Sequence, residues 1–340
     1  MVKVGIIGAS GYTGAELLRI AAMHPDFEVV VATGDTQAGT RAAALYPSLA
    51  VHYPNLVFSE FDPDTTRELD LVFLGLPHEA SMALAPQLVG HVGCVVDLSA
   101  AYRLTDVALY PTWYGFAHDQ PDLLAEAIYG LPELYRSELK GARLVATPGC
   151  HVTAASLALQ PLVARGLIET SGIIVDNATG ITGAGRALKQ SSMFCTVDEN
   201  FEAYGLLDHR HTPEIEQVVG AQVLFTPHLA PMNRGILSTC YARPAGGAAL
   251  DTASLLAALN DAYSGEPFVV VREESPSTKA TLGSNAVHLT ARYDARTEWV
   301  MVICALDNLT KGASGGAVQA ANVALGLDET AGLTSVGLYP

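Results

Sequence analysis

The sequence predicts an α/β protein with a doubly wound, mostly parallel sheet, followed by a second domain of the α+β type. In the first half, short continuous apolar segments alternate with segments of helical periodicity, which is typical of parallel strands buried on both faces. A glycine-rich turn, residues 8–14, separates the first strand from the first helix. After residue 150 the pattern changes to longer strands with fewer helices between them.

The elements of the first half follow from these signals. Helical spacing places Leu17, Leu18 and Ala21 on one face of the first helix. The expected strands are residues 2–7, 28–32, 71–76, 92–98 and 144–146, and the expected helix is residues 15–23. This alternation predicts parallel strands joined by crossover helices.

The second half is expected to contain an antiparallel sheet. The expected strands are residues 173–176, 222–226, 235–242, 268–271, 287–293 and 299–305, and the expected helices are residues 153–164, 252–263 and 315–325. The last helix is amphipathic, so we expect it to return to the first domain. The predicted domains are therefore residues 1–148 together with about 312–340, and residues 149–311.

Composition and charge exclude several classes of function. The chain has 340 residues, of which 49% are hydrophobic and 16% are charged, and this suits two folded domains rather than a disordered chain. Its formal net charge is −16, so its surface repels nucleic-acid phosphates and anionic lipids. We therefore expect no nucleic-acid or membrane partner. An anionic small-molecule substrate would need specific arginines to hold it.

The first residues and the cysteine spacing predict a cytoplasmic protein. The chain reaches Gly8 without a basic region, a long apolar region or a cleavage-site pattern, and no run of about 18 apolar residues lacks polar interruption. The five cysteines are widely spaced, and none forms a C-x-x-C pair. This spacing predicts neither a disulfide framework nor a zinc site. We expect a reducing compartment and no resident metal.

The glycine turn has the spacing G-x-x-G-x-x-G, a variant of the dinucleotide-binding fingerprint. Glycines there let the main chain approach a pyrophosphate, and the N-terminus of the next helix supplies unpaired N–H groups and positive potential. A purely structural turn is the alternative. The residues of this turn expected to bind a nicotinamide dinucleotide are Gly8, Ser10, Gly11, Tyr12, Thr13 and Gly14.

The residues after the second expected strand leave the choice between NAD and NADP open. Asp35 stands where a carboxylate often binds the ribose hydroxyls of NAD, and a solvated loop aspartate is the alternative. The nearest arginine is Arg41, which does not follow the strand directly. Thr33, Thr36 and main-chain amides would have to hold the 2′-phosphate of NADP.

Cys150 lies where a strand turns into a helix. Pro148 and Gly149 make the turn sharp and place the cysteine in or beside the first helical turn. Partial positive charge at a helix start stabilises a thiolate, and the thiolate is the nucleophilic form. A buried structural cysteine is the alternative. We predict that Cys150 is a covalent nucleophile.

Candidate acid/base partners lie between His209 and Glu214. Imidazole titrates near neutral pH, so His209 or His211 can carry the thiol proton. We expect Glu214 to orient His211 and Arg210 to hold an anionic group. His151, next to the cysteine in sequence, is a second-choice partner. A basic surface loop is the alternative for the whole segment.

Two further segments have the composition of substrate-binding loops. Ser99 and Arg103 follow a buried strand, at the edge where open parallel sheets bind ligands. Residues 180–186 form a glycine-rich loop ending in Arg186, whose guanidinium suits a phosphate or a carboxylate. For each segment a plain connecting loop is the alternative. Arg103, Arg186 and Arg210 together supply the local positive charge that an anionic substrate needs.

These motifs resemble those of the N-acetyl-γ-glutamyl-phosphate reductase family along nearly the whole chain. They include Gly8-Ala9-Ser10-Gly11-Tyr12-Thr13-Gly14, Pro148-Gly149-Cys150 and His209-Arg210-His211-Thr212-Pro213-Glu214. The other matching segments are residues 73–78, 97–99, 129–134, 183–186, 225–229, 234–237, 283–285 and 307–309.

The resemblance implies NADPH-dependent reduction of N-acetyl-glutamyl 5-phosphate to N-acetyl-glutamate 5-semialdehyde in arginine biosynthesis, through a thioester on Cys150 and with release of phosphate. It implies a Rossmann domain, a substrate domain like that of glyceraldehyde-3-phosphate dehydrogenase, and a homodimer or homotetramer. Leu76, Pro77 and Asn308 would lie at the cofactor. NADP(H) is the expected cofactor, and NAD(H) is the alternative.

The chain departs from the family pattern at several positions. His151 and Val152 stand where the family usually has Tyr or Phe and then Pro. Gly34 and Asp35 replace a Ser-Arg pair often found after the second strand, which puts the preference for NADP in doubt. The segments 101–103 and 179–182 also differ, but they retain Arg103 and the glycine loop.

Other functions share part of this pattern. A sibling reductase acting on an aminoadipyl or aspartyl phosphate would use the same chemistry with a different carboxylate pocket. A cysteine hydrolase or acyltransferase would use Cys150 with His209 or His211 and would not need the glycine turn. A nucleotide-sensing protein would bind the dinucleotide without turnover.

Overall fold

The computed structural model describes residues 1–246 and 250–340. The strands are β1 Val2–Ile7, β2 Phe27–Ala32, β3 Leu71–Leu74, β4 Cys94–Asp97, β5 Ile128–Tyr129, β6 Leu144–Ala146, β7 Ile173–Thr179, β8 Glu202–Ala203, β9 Val223–Leu229, β10 Ile236–Ala242, β11 Val269–Val271, β12 Val287–Asp294 and β13 Trp299–Leu306. The helices are α1 Tyr12–Ala21, α2 Ala42–Leu45, α3 His78–Leu88, α4 Tyr110–Tyr114, α5 Pro121–Glu126, α6 Pro132–Leu139, α7 Cys150–Ala164, α8 Phe194–Val197, α9 His211–Val219, α10 Thr252–Ala262, α11 Thr278–Thr281 and α12 Gly315–Leu325.

The chain folds into two compact units. The first comprises Met1–Pro148 and Ala313–Leu333, and the second comprises Gly149–Gly312 and Thr334–Pro340. The C-terminal segment 334–340 was expected in the first domain, but it packs in the second unit. Its backbone explains this placement, because the Thr334 carbonyl accepts from the N–H of Asn285 at 2.7 Å and the N–H of Leu338 donates to the Leu282 carbonyl at 2.8 Å.

The first unit contains a parallel sheet of the Rossmann type, as the sequence predicts. Its six described strands lie in the order β2-β1-β3-β4-β6-β5, and every pairing is parallel. The central strands β3, β4 and β6 are buried along their whole length, which explains their continuous apolar sequences. Helix α12 is almost entirely buried and packs on α1, α6 and β4.

The second unit contains a mixed sheet. Among the described residues its strand order is β11-β12-β13-β10-β7-β9-β8. The expectation of a purely antiparallel sheet is wrong, because β11 pairs with β12 and β7 pairs with β9 in parallel. The crossover between β7 and β9 contains β8 and α9, so the chain returns in the same direction.

Helix α7 is the central helix of the second unit. It is buried over most of its length and packs against β10, β13, α9 and α10. Its apolar residues surround the whole helix rather than one stripe, which is typical of a helix enclosed on all sides. The sequence placed its start at residue 153, but the helix begins at Cys150.

Within residues 1–246 and 250–340, no helix has both the length and the apolar composition that crossing a bilayer requires.

The glycine turn of the first unit gives a test of close packing. A Cβ on Gly14 would lie 2.5 Å from the Gly8 carbonyl oxygen and 2.6 Å from the carbonyl carbon of Ala9, and neither main-chain atom can move aside. A Cβ on Gly11 would meet only the Gly8 oxygen, at 3.6 Å. We expect Gly14→Ala to lower the free energy of unfolding by about 1–3 kcal/mol. Gly11→Ala should cost less than about 1 kcal/mol. Denaturant unfolding of both variants measures the difference, and equal costs would contradict it.

Candidate active site

Cys150 is the first residue of α7 and is half-buried. The helix starts after Gly149, which has an extended backbone (φ −67°, ψ 148°) and provides no side-chain cap. Cys150 therefore lies at the N-terminus of a 15-residue helix, whose first N–H groups have no acceptor within the helix. This is the arrangement predicted from the turn sequence, and it favours negative charge on the sulfur.

Gly149, in the turn before α7, contacts the first residues of α9. Its N–H donates to Oε1 of Glu214 at 3.0 Å, and the Glu214 side chain is fully buried. A Cβ at position 149 would lie 2.7 Å from both Cδ2 and Cε1 of His211. Only glycine leaves room for this imidazole, so Gly149 places the His211 ring directly beside the residue that precedes Cys150.

Gly312 packs on the other side of the cysteine. A Cβ on Gly312 would lie 2.9 Å from the Cβ of Cys150. The Gly312 N–H donates to the carbonyl of Asp307 at 2.9 Å, and the Asp307 carboxylate pairs with Arg234 at 2.9 Å. Gly312 belongs to a one-turn π-helix, Thr310–Ser314, which therefore packs directly against Cys150.

Three histidines cluster beside Cys150. The ring centroids of His209 and His211 are 4.8 Å apart, and the ring of His151 lies 5.6 Å from the first and 5.5 Å from the second. The Nδ1 atom of His209 accepts the main-chain N–H of His211 at 3.1 Å. His209 therefore holds the main chain of His211, which is the first residue of α9.

Burial keeps two of these rings neutral. It lowers the pKa of His151 to about 3, with a further contribution from His209. It lowers the pKa of His209 to about 4, with a smaller effect of the Arg210 charge in the same direction. Both imidazoles therefore retain a lone pair at neutral pH.

Tyr204 and Asn177 were missed by the sequence analysis. The Tyr204 hydroxyl lies 3.0 Å from Nε2 of His151, and burial together with the nearby Cys150 raises its pKa. Asn177 is fully buried, with Nδ2 at 3.2 Å from Nδ1 of the same ring. Tyr204 follows the short strand β8, which has no clear apolar pattern in sequence, so no local signal identifies it.

Cys150, the three histidines and Tyr204 line one cavity of about 420 Å³ within the second unit. Its lining residues are Cys150, His151, Thr179, Gly183, Ala184, Lys189, Ser191, Glu202, Tyr204, His209, Arg210, His211 and Leu229. Lys189 and Arg210 bring positive charge to it, although the protein as a whole is acidic. The cavity thus brings together a thiol, imidazoles and cations, a combination suited to an anionic substrate.

The structure brings only some of the predicted site residues together here. Cys150, His209, Arg210 and His211 share the cavity. Glu214 lies behind it and binds the Gly149 N–H, so its observed bond supports the turn before the nucleophile.

Arg186 and Asn308 are in the same unit but are not among the cavity-lining residues. Arg186 is exposed, after a short 3₁₀ turn at Ile181–Ala184. Asn308 is buried, and its Oδ1 accepts the N–H of Gly235 at 2.7 Å while its Nδ2 donates to the hydroxyl of Thr182 at 3.0 Å. It therefore ties the glycine loop to the start of β10.

The glycine turn of the first unit fits a pyrophosphate. Gly8 has φ +92°, and a Cβ there would lie 2.9 Å from the Gly75 carbonyl carbon, so only glycine can adopt this turn. Helix α1 begins after Gly11 without a side-chain cap, which leaves N–H groups for an anion. The Gly8 N–H donates to the Thr33 hydroxyl at 3.0 Å, and the Ser10 hydroxyl donates to the Gly34 carbonyl at 3.0 Å.

The remaining cofactor candidates flank this turn. Tyr12 and Thr13 are half-buried in the first turn of α1. Asp35 follows β2, is exposed, and has φ +44°. Leu76 and Pro77 lie between β3 and α3, where Pro77 precedes the first helical residue.

Ser99 and Arg103 belong to a buried polar network of the first unit. The Ser99 hydroxyl donates to the Asp97 carboxylate at 2.7 Å. Arg103 is buried and donates to the main-chain carbonyls of Thr147 at 2.6 Å and Leu98 at 2.9 Å. These bonds support the carboxyl ends of β4 and β6, and substrate binding by the two residues stays a prediction.

Two family models match the chain. Residues 3–142 match the model described as "Semialdehyde dehydrogenase, NAD binding domain". Residues 150–308 match the model described as "Semialdehyde dehydrogenase, dimerisation domain". The first match lies within the first folded unit, and the second match lies within the second unit.

Curated relatives are similar over the whole chain. The N-acetyl-gamma-glutamyl-phosphate reductase of Symbiobacterium thermophilum is 47% identical over 349 residues, covering 100% of this chain and 99% of the relative. The protein of the same name from Geobacter sulfurreducens is 47% identical over 350 residues, covering 100% of both chains.

Solved structures share the fold. Aspartate semialdehyde dehydrogenase II of Vibrio cholerae, complexed with ASA, aligns with a TM-score of 0.70 and 14% identity over 95% of this chain and 98% of that chain. Aspartate semialdehyde dehydrogenase of Candida albicans, with NADP, aligns with a TM-score of 0.72 and 17% identity over the same shares of the two chains. At these identities the likeness concerns the fold alone.

The Glu214–Gly149 hydrogen bond is testable against a matched carboxylate on the same helix. Glu216 also accepts a main-chain N–H, that of Val223, at 3.1 Å, but this bond does not involve the turn before the cysteine. We expect Glu214→Ala to lower the free energy of unfolding by about 1.5–3 kcal/mol, since it removes a charged acceptor from a buried N–H. It should also slow alkylation of Cys150 by iodoacetamide. Glu216→Ala should leave alkylation unchanged, and similar alkylation in both variants would show that Glu214 does not position the thiol.

Proposed function

The chain belongs to the N-acetyl-γ-glutamyl-phosphate reductase family of semialdehyde dehydrogenases, and from this premise we propose how its residues reduce N-acetyl-glutamyl 5-phosphate to N-acetyl-glutamate 5-semialdehyde. The protein is a phosphorylating semialdehyde dehydrogenase, an oxidoreductase with a role in arginine biosynthesis. The observation that carries the proposed mechanism is the His211 ring packed on Gly149, beside a thiol at a helix start.

Cys150 is the nucleophile of the proposed mechanism. Its thiolate attacks the acyl carbon, the bond from carbon to the phosphate oxygen breaks, and phosphate leaves with the electron pair. The product is a thioester, whose carbonyl accepts hydride far better than a carboxylate does. The N–H groups at the start of α7 are suited to stabilise negative charge on the substrate oxygen.

The glycine turn holds the dinucleotide in this proposal. Gly8, Gly11 and Gly14 let the main chain approach the pyrophosphate, and the start of α1 supplies N–H groups to it. Ser10, Tyr12, Thr13, Leu76 and Pro77 are the flanking side chains. A reduced nicotinamide, when bound, supplies the hydride for reduction of the thioester.

The 2′ position of the ribose distinguishes the two cofactors. We propose NADP(H), with NAD(H) as the alternative because the Asp35 carboxylate lies three residues after the end of β2. Main-chain amides and hydroxyls near Thr33 would have to hold a 2′-phosphate against that carboxylate. Parallel binding titrations with NADPH and NADH distinguish these alternatives.

His211 is the proposed acid/base residue, and His209 is a positioning residue. The His211 ring packs on the residue before Cys150, so it can take the thiol proton and hold a proton at the substrate oxygen. Expulsion of the thiolate from the tetrahedral adduct then yields the aldehyde and restores Cys150. His209 uses Nδ1 to bind the N–H of His211 and keeps the start of α9 in place.

Cations hold the anionic substrate in this proposal. Arg210 and Lys189 line the cavity and are suited to a carboxylate and a phosphate. Arg186, Arg103 and Ser99 are further candidates from sequence. The substrate carries both groups, so two separate cationic sites are required.

Assembly and location complete the proposal. The second family model is described as a dimerisation domain, which supports a homo-oligomer, and we propose a homodimer or homotetramer. A cytoplasmic, reducing environment would suit a catalytic thiol. The partners are the acyl-phosphate substrate and phosphate.

A sibling activity on aminoadipyl or aspartyl phosphate is the alternative that shares this chemistry. The 47% identity to named N-acetyl-gamma-glutamyl-phosphate reductases over the full length favours the acetylated glutamyl substrate. Assays with the three acyl phosphates side by side distinguish these alternatives.

The role of Cys150 has a matched control in the same unit. Cys195 is an exposed cysteine outside the cavity-lining set. We expect Cys150→Ser to reduce kcat at least about 10³-fold, because the hydroxyl is a much weaker nucleophile. Cys195→Ser should retain activity. Phosphate-dependent oxidation of the semialdehyde measures both variants, and a normal rate for Cys150→Ser would exclude the thioester.

The two histidines are expected to respond differently to the same substitution. His211→Asn removes the proton carrier, so kcat should fall by about 10²–10⁴-fold with little change in KM. His209→Asn keeps a side-chain acceptor for the N–H of His211, so kcat should fall less than about tenfold. Steady-state kinetics of both variants measure the contrast. A larger loss for His209→Asn would reverse the assignment.

A further inference from the structure

The histidine cluster beside Cys150 has a second chemical capacity besides proton transfer. One ring nitrogen from each of His151, His209 and His211 can be chosen such that all three lie within 4.8 Å of one another. Cys150 lines the same cavity. We propose that the three histidines bind a zinc ion, or a similar divalent transition metal, and that the Cys150 thiolate completes its coordination.

The donor set matches this class of metal. Imidazole nitrogen and thiolate sulfur are the ligands that zinc binds in tetrahedral protein sites, whereas magnesium and calcium prefer oxygen. The cysteines alone gave no indication of such a site, because none lies near another in sequence. The fold supplies the histidines instead, from the start of α7 and the start of α9.

Asn177 is placed to orient His151. Its Nδ2 lies 3.2 Å from Nδ1 of the ring, while its buried Oδ1 has no hydrogen-bond partner among the described residues. Exchanging the two amide atoms by rotation lets the oxygen accept from an Nδ1–H group. The lone pair then lies on Nε2, on the side of Tyr204. A buried amide that fixes the tautomer in this way is typical of the surroundings of metal-bound histidines.

The three imidazoles must move closer together to bind the ion. Zinc–nitrogen bonds of about 2.0 Å place tetrahedral ligands about 3.3 Å apart. The three ring nitrogens lie within 4.8 Å of one another, so they must come closer together. His209 must also move its proton to Nδ1 and break the bond with the N–H of His211. These costs predict micromolar, reversible binding rather than a resident metal.

Bound metal would block the proposed reaction. A thiolate held by zinc cannot attack the acyl carbon, and the His211 lone pair is then occupied. This consequence rests on the proposed function of Cys150, whereas the binding of metal does not. Zinc is thus expected to be a reversible inhibitor that EDTA removes.

Cobalt titration of the full-length protein tests the binding directly. We expect one Co²⁺ per chain, with the visible absorption of tetrahedral cobalt and a thiolate-to-cobalt charge-transfer band. Zinc should displace the cobalt and should protect Cys150 from iodoacetamide. Octahedral cobalt spectra or no saturable binding would overturn the proposal. This readout needs no acyl phosphate, so it stands apart from failure of the proposed reaction.

Matched variants identify the ligands. His151→Phe keeps an aromatic ring beside Phe225, 5.4 Å away, and removes the donor nitrogen. It should weaken cobalt and zinc binding at least tenfold. His228→Phe removes an imidazole that stacks on Phe201 outside the cavity-lining set, and it should leave metal affinity unchanged.

A second substitution guards against misfolding. His151→Gln retains a polar side chain between Asn177 and Tyr204, and it should lose metal affinity to the same extent. Unchanged affinity in either folded His151 variant would overturn the proposal. Equal losses for His151→Phe and His228→Phe would also overturn it, since the effect would not be specific to the cluster.

Discussion

The contact between the starts of α7 and α9 is the constraint on which the site depends. Gly149 accepts the His211 ring against its main chain and donates its N–H to Glu214, so one residue without a side chain joins the two helices. Any Cβ there would displace the imidazole. Because Cys150 follows directly, this contact also sets the position of the thiol. The thiol of Cys150 and the imidazole of His211 are thus both positioned by the packing at Gly149.

Burial gives this cavity its chemical character. Removing imidazoles from water penalises their charged form, and it keeps His151 and His209 neutral beside a thiol. Lys189 and Arg210 add positive charge at the edge of this cavity, in a chain whose net charge is −16. One environment therefore suits the proposed proton transfer and, by the same lone pairs, the proposed divalent metal ion. Both would use His211 and Cys150.

Much of the fold could be predicted where the signal is local. Buried parallel strands such as β3, β4 and β6 have continuous apolar sequences, and the turn at Gly8 has a spacing that only a strand-to-helix turn explains. The mixed sheet could not be predicted, because the direction of a strand depends on the route of the connecting chain and not on the strand's own residues. The segment 334–340 was misplaced because main-chain bonds to Asn285 and Leu282 hold it in the second unit. Such bonds leave no side-chain pattern.

By itself, the sequence determined the chemistry that this protein can perform. It identified Cys150 at a helix start, the histidines 209 and 211 two residues apart, and a glycine turn suited to a dinucleotide. Each of these depends on neighbours along the chain. The tertiary structure decided which side chains lie next to one another around Cys150. Only the packing of α9 on α7 brings His211 to Gly149 and turns Glu214 toward the same turn. It also brings Tyr204 and Asn177 to His151, because contacts between distant segments are set by shape and burial, which no local spacing records.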